Sequence, residues 1–171
     1  MPAGDPTQLE LRRLPHERNT YQLGDVGTVR RSGFGWRSAL GQAREQRWTF
    51  TASGVWKVRA QAIDHTGIVV GEYLPRVLRG GGTMRWYGRE LALRPTSSWR
   101  QRYALNDHGR DIVTVDARTG GRRPVAMTVL DRERADPGLL LFTAVLAVWI
   151  ASEAASTAAA GVAATSVAWM G

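Results

Sequence analysis

The residues in this chain best suited to chemistry are cations at alternate positions. Lys57 and Arg59 alternate in one stretch, Arg85 stands in a second, and Arg100 and Arg102 alternate in a third. A guanidinium presents a rigid fork of N–H donors that fits a phosphate bidentately, and alternate residues of a strand face the same way. If the three stretches lie side by side, these five residues form a basic patch for phosphate groups. The whole chain has the same sign. Its formal net charge is +8, and Lys57 is its only lysine. A field of that sign gathers lipid headgroups or nucleic acid. Two plainer origins stand beside this one: a GC-rich coding bias that favours Arg, Ala and Gly together, and a solvated face balanced by Glu72, Glu90 and Asp111.

Other reactive groups are poorly placed for catalysis. His65 and His108 follow Asp64 and Asp107, a set that suits zinc if two turns meet. The spacing matches no zinc motif, however, and turn chemistry accounts for both Asp-His pairs. Asp64, Glu72, Glu90, Asp107, Asp111 and Asp116 are scattered, so no acid–base pair is held by local spacing. Ser32, Ser38, Ser53, Ser97 and Ser98 lack a nucleophile elbow. Arg79-Gly80-Gly81-Gly82-Thr83 lacks the Gly-Lys-Ser/Thr ending of a phosphate loop and reads as a flexible connection. With no cysteine, the chain has no disulfide, thiolate metal site or Cys nucleophile. The expectation is a non-enzymatic protein that needs no metal or cofactor. No basic-then-apolar leader opens the sequence, so the expected location is cytoplasmic.

The elements that carry the arginines read as strands. Trp56, Val58, Ala60 and Ala62 alternate with Lys57, Arg59 and Gln61; Trp99, Gln101, Tyr103 and Leu105 alternate with Arg100, Arg102, Ala104 and Asn106. A period of two marks strands with one buried and one wetted face. It also turns Trp56 and Trp99 away from the arginines, which weakens a stacking platform for single-stranded nucleic acid. Ser53-Gly54, Asp64-His65-Thr66-Gly67, Asp107-His108-Gly109 and Thr119-Gly120-Gly121 supply turns. About ten candidate strands between Tyr21 and Leu130 predict an antiparallel barrel or sandwich and exclude alternating βαβ units. Residues 1–18, with Pro2, Pro6 and Pro15, read as a flexible arm.

The C-terminal part changes character. Asp136-Pro137 is a helix start, and Leu139 to Ala151 is apolar on every side. This 13-residue run is short of the roughly 20 that span a bilayer, and Glu153 interrupts any extension. It therefore predicts a core helix over about 137–152, followed by an Ala/Ser/Thr-rich tail over 153–171. The alternative is a tail anchor flanked by Arg132 and Arg134.

The stretch Arg47-Trp48-Thr49-Phe50 through Tyr73, the segment Arg102-Tyr103-Ala104-Leu105-Asn106-Asp107, and Asp136-Pro137-Gly138-Leu139-Leu140-Leu141-Phe142 together resemble the tubby-like group, which includes the LURP-one-related proteins and the phospholipid scramblases. The resemblance covers about 20–150 and lies in the rhythm of hairpins before one very apolar helix. It implies an antiparallel β-barrel wrapped around a hydrophobic C-terminal helix, with a domain over 19–152. As function it implies a binding module that meets phosphoinositides or membrane surfaces. The expected partner is an anionic phospholipid headgroup, with nucleic acid the weaker alternative.

Overall fold

The computed structural model describes residues 5–32, 37–54, 57–76, 81–97, 101–117 and 125–167, with side chains as far as Ala154. Twelve strands occur in chain order. The first six are β1 (Thr7–Arg13), β2 (Thr20–Leu23), β3 (Gly27–Ser32), β4 (Ser38–Ala43), β5 (Gln46–Ser53) and β6 (Arg59–Asp64). The rest are β7 (Val69–Pro75), β8 (Gly82–Trp86), β9 (Arg89–Ser97), β10 (Arg102–Asp107), β11 (Arg110–Asp116) and β12 (Val125–Val129). Each strand pairs antiparallel with its neighbours in sequence, and β1 pairs with β12 to close the barrel. A single helix, α1 (Pro137–Val167), follows.

The alternation that marks the strands is what turns them inward. Val58, Ala60 and Ala62 are buried while Lys57, Arg59 and Gln61 are exposed; Leu91 and Leu93 of β9 and Met127 and Val129 of β12 face the same core. Trp56 and Trp99 lie outside the described residues. Strand β10 departs furthest from the simple pattern. In β10 Ala104 and Asn106 are buried although they fall on the face expected to be wet. Ala104 is flanked in register by Arg94 and Thr114, so its single methyl is shaded by larger neighbours. Asn106 is held in a turn network, donating to Asp111 Oδ1 at 2.8 Å and accepting from Gly109 N at 2.9 Å.

The structure corrects or extends three sequence expectations. The N-terminal arm is not loose between residues 7 and 13. Leu9 and Leu11 enter the core as β1, with Leu9 opposite Met127 and Leu11 opposite both Val125 and Leu23. The barrel would have two unpaired edges without this strand, and closure removes them. The core helix expected over about 137–152 is enclosed as far as Ala151, and α1 carries on through the Ala/Ser/Thr-rich segment to Val167. Gly82 and Thr83, read as part of a flexible connection, open β8 instead.

The barrel is filled by the first half of α1. Leu139, Leu141, Phe142, Val145 and Leu146 are fully enclosed. This explains a helix apolar all round, because strands surround it on every side. Asp136 caps the first turn, its Oδ1 accepting from Leu139 N at 3.0 Å. Its other oxygen accepts from Trp86 Nε1 at 2.8 Å, which ties the helix start to β8. Phe142 stacks on Trp86, with ring centroids 5.7 Å apart, and lies 5.4 Å from Phe50. At Gly138 a Cβ would come within 2.6 Å of the Trp48 ring and 2.8 Å of the Trp86 ring, so only glycine lets the helix backbone pass these indoles.

Next-neighbour pairing sends alternate connections to opposite ends of the barrel. The base, where α1 starts, carries the connections 24–26, 44–45, 65–68, 87–88, 108–109 and 130–136. Several are as short as a hairpin allows. Tyr87-Gly88 and His108-Gly109 have both central residues at positive φ, the two-residue turn that matches strand twist. The mouth, where α1 leaves, carries the longer connections 14–19, 33–37, 54–58, 76–81, 98–101 and 117–124.

Candidate functional site

The structure separates the cations singled out from the sequence. Lys57 is exposed in the β5–β6 connection and donates from Nζ to the Arg76 carbonyl at 3.0 Å. Arg59 opens β6 and points outward. Arg85 projects from the outer face of β8, where its neighbours in register are Glu72 and Glu90, with Glu72 at 3.9 Å. Arg102 opens β10 and donates from Nε to Asp116 at 2.9 Å. Arg100 lies outside the described residues. The register places Arg59 and Arg85 two strands and two residues apart, about 12 Å. Arg102 pairs with Ser97 whereas Arg85 pairs with Glu90, seven residues away along β9 or roughly 23 Å. They do not make one wall patch, because β7 and β9 intervene and bring acids with them.

The acids are similarly occupied. Asp111 accepts from Asn106, and from Arg94 at 2.7 Å. The Asn106 bond, aided by Arg94, holds its carboxyl below the ordinary range against the upward push of burial. Burial pushes the buried carboxyl of Asp107 up, but bonds from Arg89 at 2.9 Å and Arg134 at 3.1 Å outweigh it and leave it low. Asp64 closes its own turn, accepting from the Thr66 hydroxyl, Thr66 N and Ile68 N; the hydroxyl bond does most to lower it. Its turn and that of His108 are at the ends of β6 and β10, four strand steps apart around the wall. Among the described residues no group of three or more His, Cys, Asp or Glu could hold a metal ion. These carboxylates fasten turns and the base to one another.

That network has a pH consequence. A carboxylate whose folded value is depressed stabilises the fold above its unfolded value and loses that contribution as pH falls through the folded value. Thermal unfolding should therefore be flat from pH 7 to 5 and drop steeply below the ordinary aspartate value of about 3.9. In Asp107→Asn the melting temperature at pH 7 should be lower and the acid slope shallower, measured by circular dichroism across a pH series.

The cavities on the wall are open grooves. The larger, about 1010 Å³, runs over β1, β12, β11 and β10, where Arg12 pairs with Glu10 and Arg102 with Asp116. The second, about 660 Å³, crosses the outer faces of β3 to β5 and includes Arg30, Arg47, Gln42 and Leu40. An apolar group is exposed near the base, where Ile68, Val69 and Tyr87 line a smaller groove.

The sharpest asymmetry lies between the two ends. In the sequences of the six mouth connections there are nine Lys and Arg residues against the single acid Glu17; in those of the base there are three arginines against five acids. Of the mouth cations, Arg18, Arg37, Lys57 and Arg76 are described, and all four are exposed. Arg37 donates to the Gly54 carbonyl at 2.8 Å and so ties two mouth connections together. A carbonyl satisfies a donor without cancelling its charge, so this latch keeps the cation available. Trp36, Trp56 and Trp99, three of the seven tryptophans, also belong to the sequences of mouth connections. Sequence reasoning about strand faces missed this arrangement. The signal was present in the connections, and only the hairpin order assembles it.

The fold defines the class: a closed twelve-stranded antiparallel β-barrel plugged by its own C-terminal helix. No family model, curated protein or solved structure matches the chain.

Proposed function

We propose that the protein is a non-enzymatic binding module that docks on anionic phospholipid surfaces through the mouth of its barrel. The carrying observation is the concentration of cations in the mouth connections, opposite a base whose connections are mildly acidic. Each Lys or Arg near an anionic leaflet contributes on the order of 1 kcal/mol, so several on one end both bind and orient the molecule. The uncharged segment of α1 beyond Glu153, which leaves the barrel at this mouth, favours a membrane over nucleic acid. A phosphate backbone gains nothing from an Ala-rich segment at the middle of its binding face, whereas a bilayer has an apolar phase behind its phosphates. The tubby-like resemblance implies a partner of the same kind.

Vesicle flotation tests this reading. Phosphatidylserine vesicles should capture the protein at low salt, phosphatidylcholine vesicles should not, and first capture should weaken steeply between 50 and 500 mM salt. Equal capture by neutral vesicles, or preference for an oligonucleotide competitor, would overturn it.

A further inference from the structure

Beyond the barrel, α1 keeps going. The helix is enclosed as far as Ala151, while Ser152 and Ala154 are exposed. Glu153 Oε2 accepts from Val58 N at 3.0 Å, which fixes the helix against the β5–β6 connection at the mouth. From Ala154 to Val167 it extends another 14 residues, about 21 Å at the usual rise. The sequence from Ala154 to Gly171 contains no charged residue.

Two facts about this segment are at odds with simple exposure to water. It is an uncharged Ala-, Ser- and Thr-rich helix lacking the ion pairs that keep a surface helix soluble. It also projects from the middle of the only end of the barrel that is rich in cations. An anionic bilayer presents phosphates at its surface and hydrocarbon beneath, in the same order that the mouth presents the exposed Arg18, Arg37, Lys57 and Arg76 and then an uncharged helix. We infer that the projecting half of α1 inserts into the bilayer on which the mouth docks, so that one helix is barrel core in its first half and membrane insert in its second.

This inference rests on the docking reading above and adds a second phase of binding to it. Alanine is only weakly apolar, so the segment inserts because the basic mouth connections have already brought it to the surface. Two weak signals together give stable attachment where one does not. The latch at Glu153 puts the last charge of α1 at the mouth, outside the hydrocarbon.

The test uses the full chain. Protein bound to phosphatidylserine vesicles at low salt is washed with 1 M salt, which removes charge-held proteins. The native chain should stay largely bound. A full-length Ala158→Asp/Val162→Asp variant should bind at low salt but be released by the wash, with at least tenfold less retained. An Ala158→Ser/Val162→Thr variant should behave as the native chain, and circular dichroism should show the same barrel in all three. If the native chain also washes off, the insertion is overturned while docking stands. Failure of all three to bind at low salt would overturn docking and insertion together. Retention of the native chain on neutral vesicles would show insertion without charge-led docking and overturn the sequence of steps proposed.

Discussion

The chain truncated after Ala135 should not fold. Removing α1 empties the barrel of Leu139, Leu141, Phe142, Val145, Leu146 and Trp149, all buried. At about 1.5–3 kcal/mol for each large side chain, their burial is worth on the order of 10 kcal/mol. A domain of this size has only about 5–15 kcal/mol of net stability, so the loss is comparable to the whole. Strands cannot make it good by collapsing inward, because the closed hydrogen-bonded circle fixes the radius. Far-ultraviolet circular dichroism of the 1–135 fragment should show no cooperative melting, and the fragment should aggregate through its exposed core face. A fragment that melted cooperatively and stayed monomeric would show that the helix is an accessory to the barrel.

Reversing charge at the mouth should abolish vesicle binding, and the same reversal at the base should not. Arg18→Glu/Arg37→Glu/Arg76→Glu and Arg44→Glu/Arg47→Glu/Arg132→Glu each lower the net charge of +8 by six. Long-range attraction therefore falls equally in both, and any difference reports location. All six residues are exposed, so neither set disturbs the core. Losing three favourable contacts of about 1 kcal/mol and adding three repulsive ones should weaken the mouth variant roughly a hundredfold or more. The base variant should lose only the modest part due to net charge. A base variant as impaired as the mouth variant would mean that attraction is a property of the whole molecule.

The fold was largely legible because its two signals are local. Alternation in Val58 to Ala62 and in Leu91 to Leu93 needs no partner to be read, and neither does an apolar run started by Asp136-Pro137. The strand at Leu9 and Leu11 was hidden by prolines on both sides, although its alternation with Gln8, Glu10 and Arg12 was there. Its membership in the sheet is decided by closure with β12, a contact across more than 110 residues. The site was less legible for the same reason. Which cations stand together depends on strand order: Arg85 and Arg102 look equivalent in sequence, yet the register separates them and gives each an acid. By contrast Arg18, Arg37 and Arg76, far apart in sequence, belong to one end because every second hairpin connection does.

The docking orientation can be measured directly because the chain has no cysteine to compete for a label. An environment-sensitive fluorophore would be placed at Ser53→Cys, beside the mouth, or at His65→Cys, in a base turn; both positions are exposed. On phosphatidylserine vesicles the Ser53 label should shift to the blue and be quenched by shallow lipid-borne quenchers, while the His65 label keeps its aqueous spectrum. A blue shift at His65 with none at Ser53 would place the exposed Ile68, Val69 and Tyr87 surface against the membrane and contradict docking through the mouth.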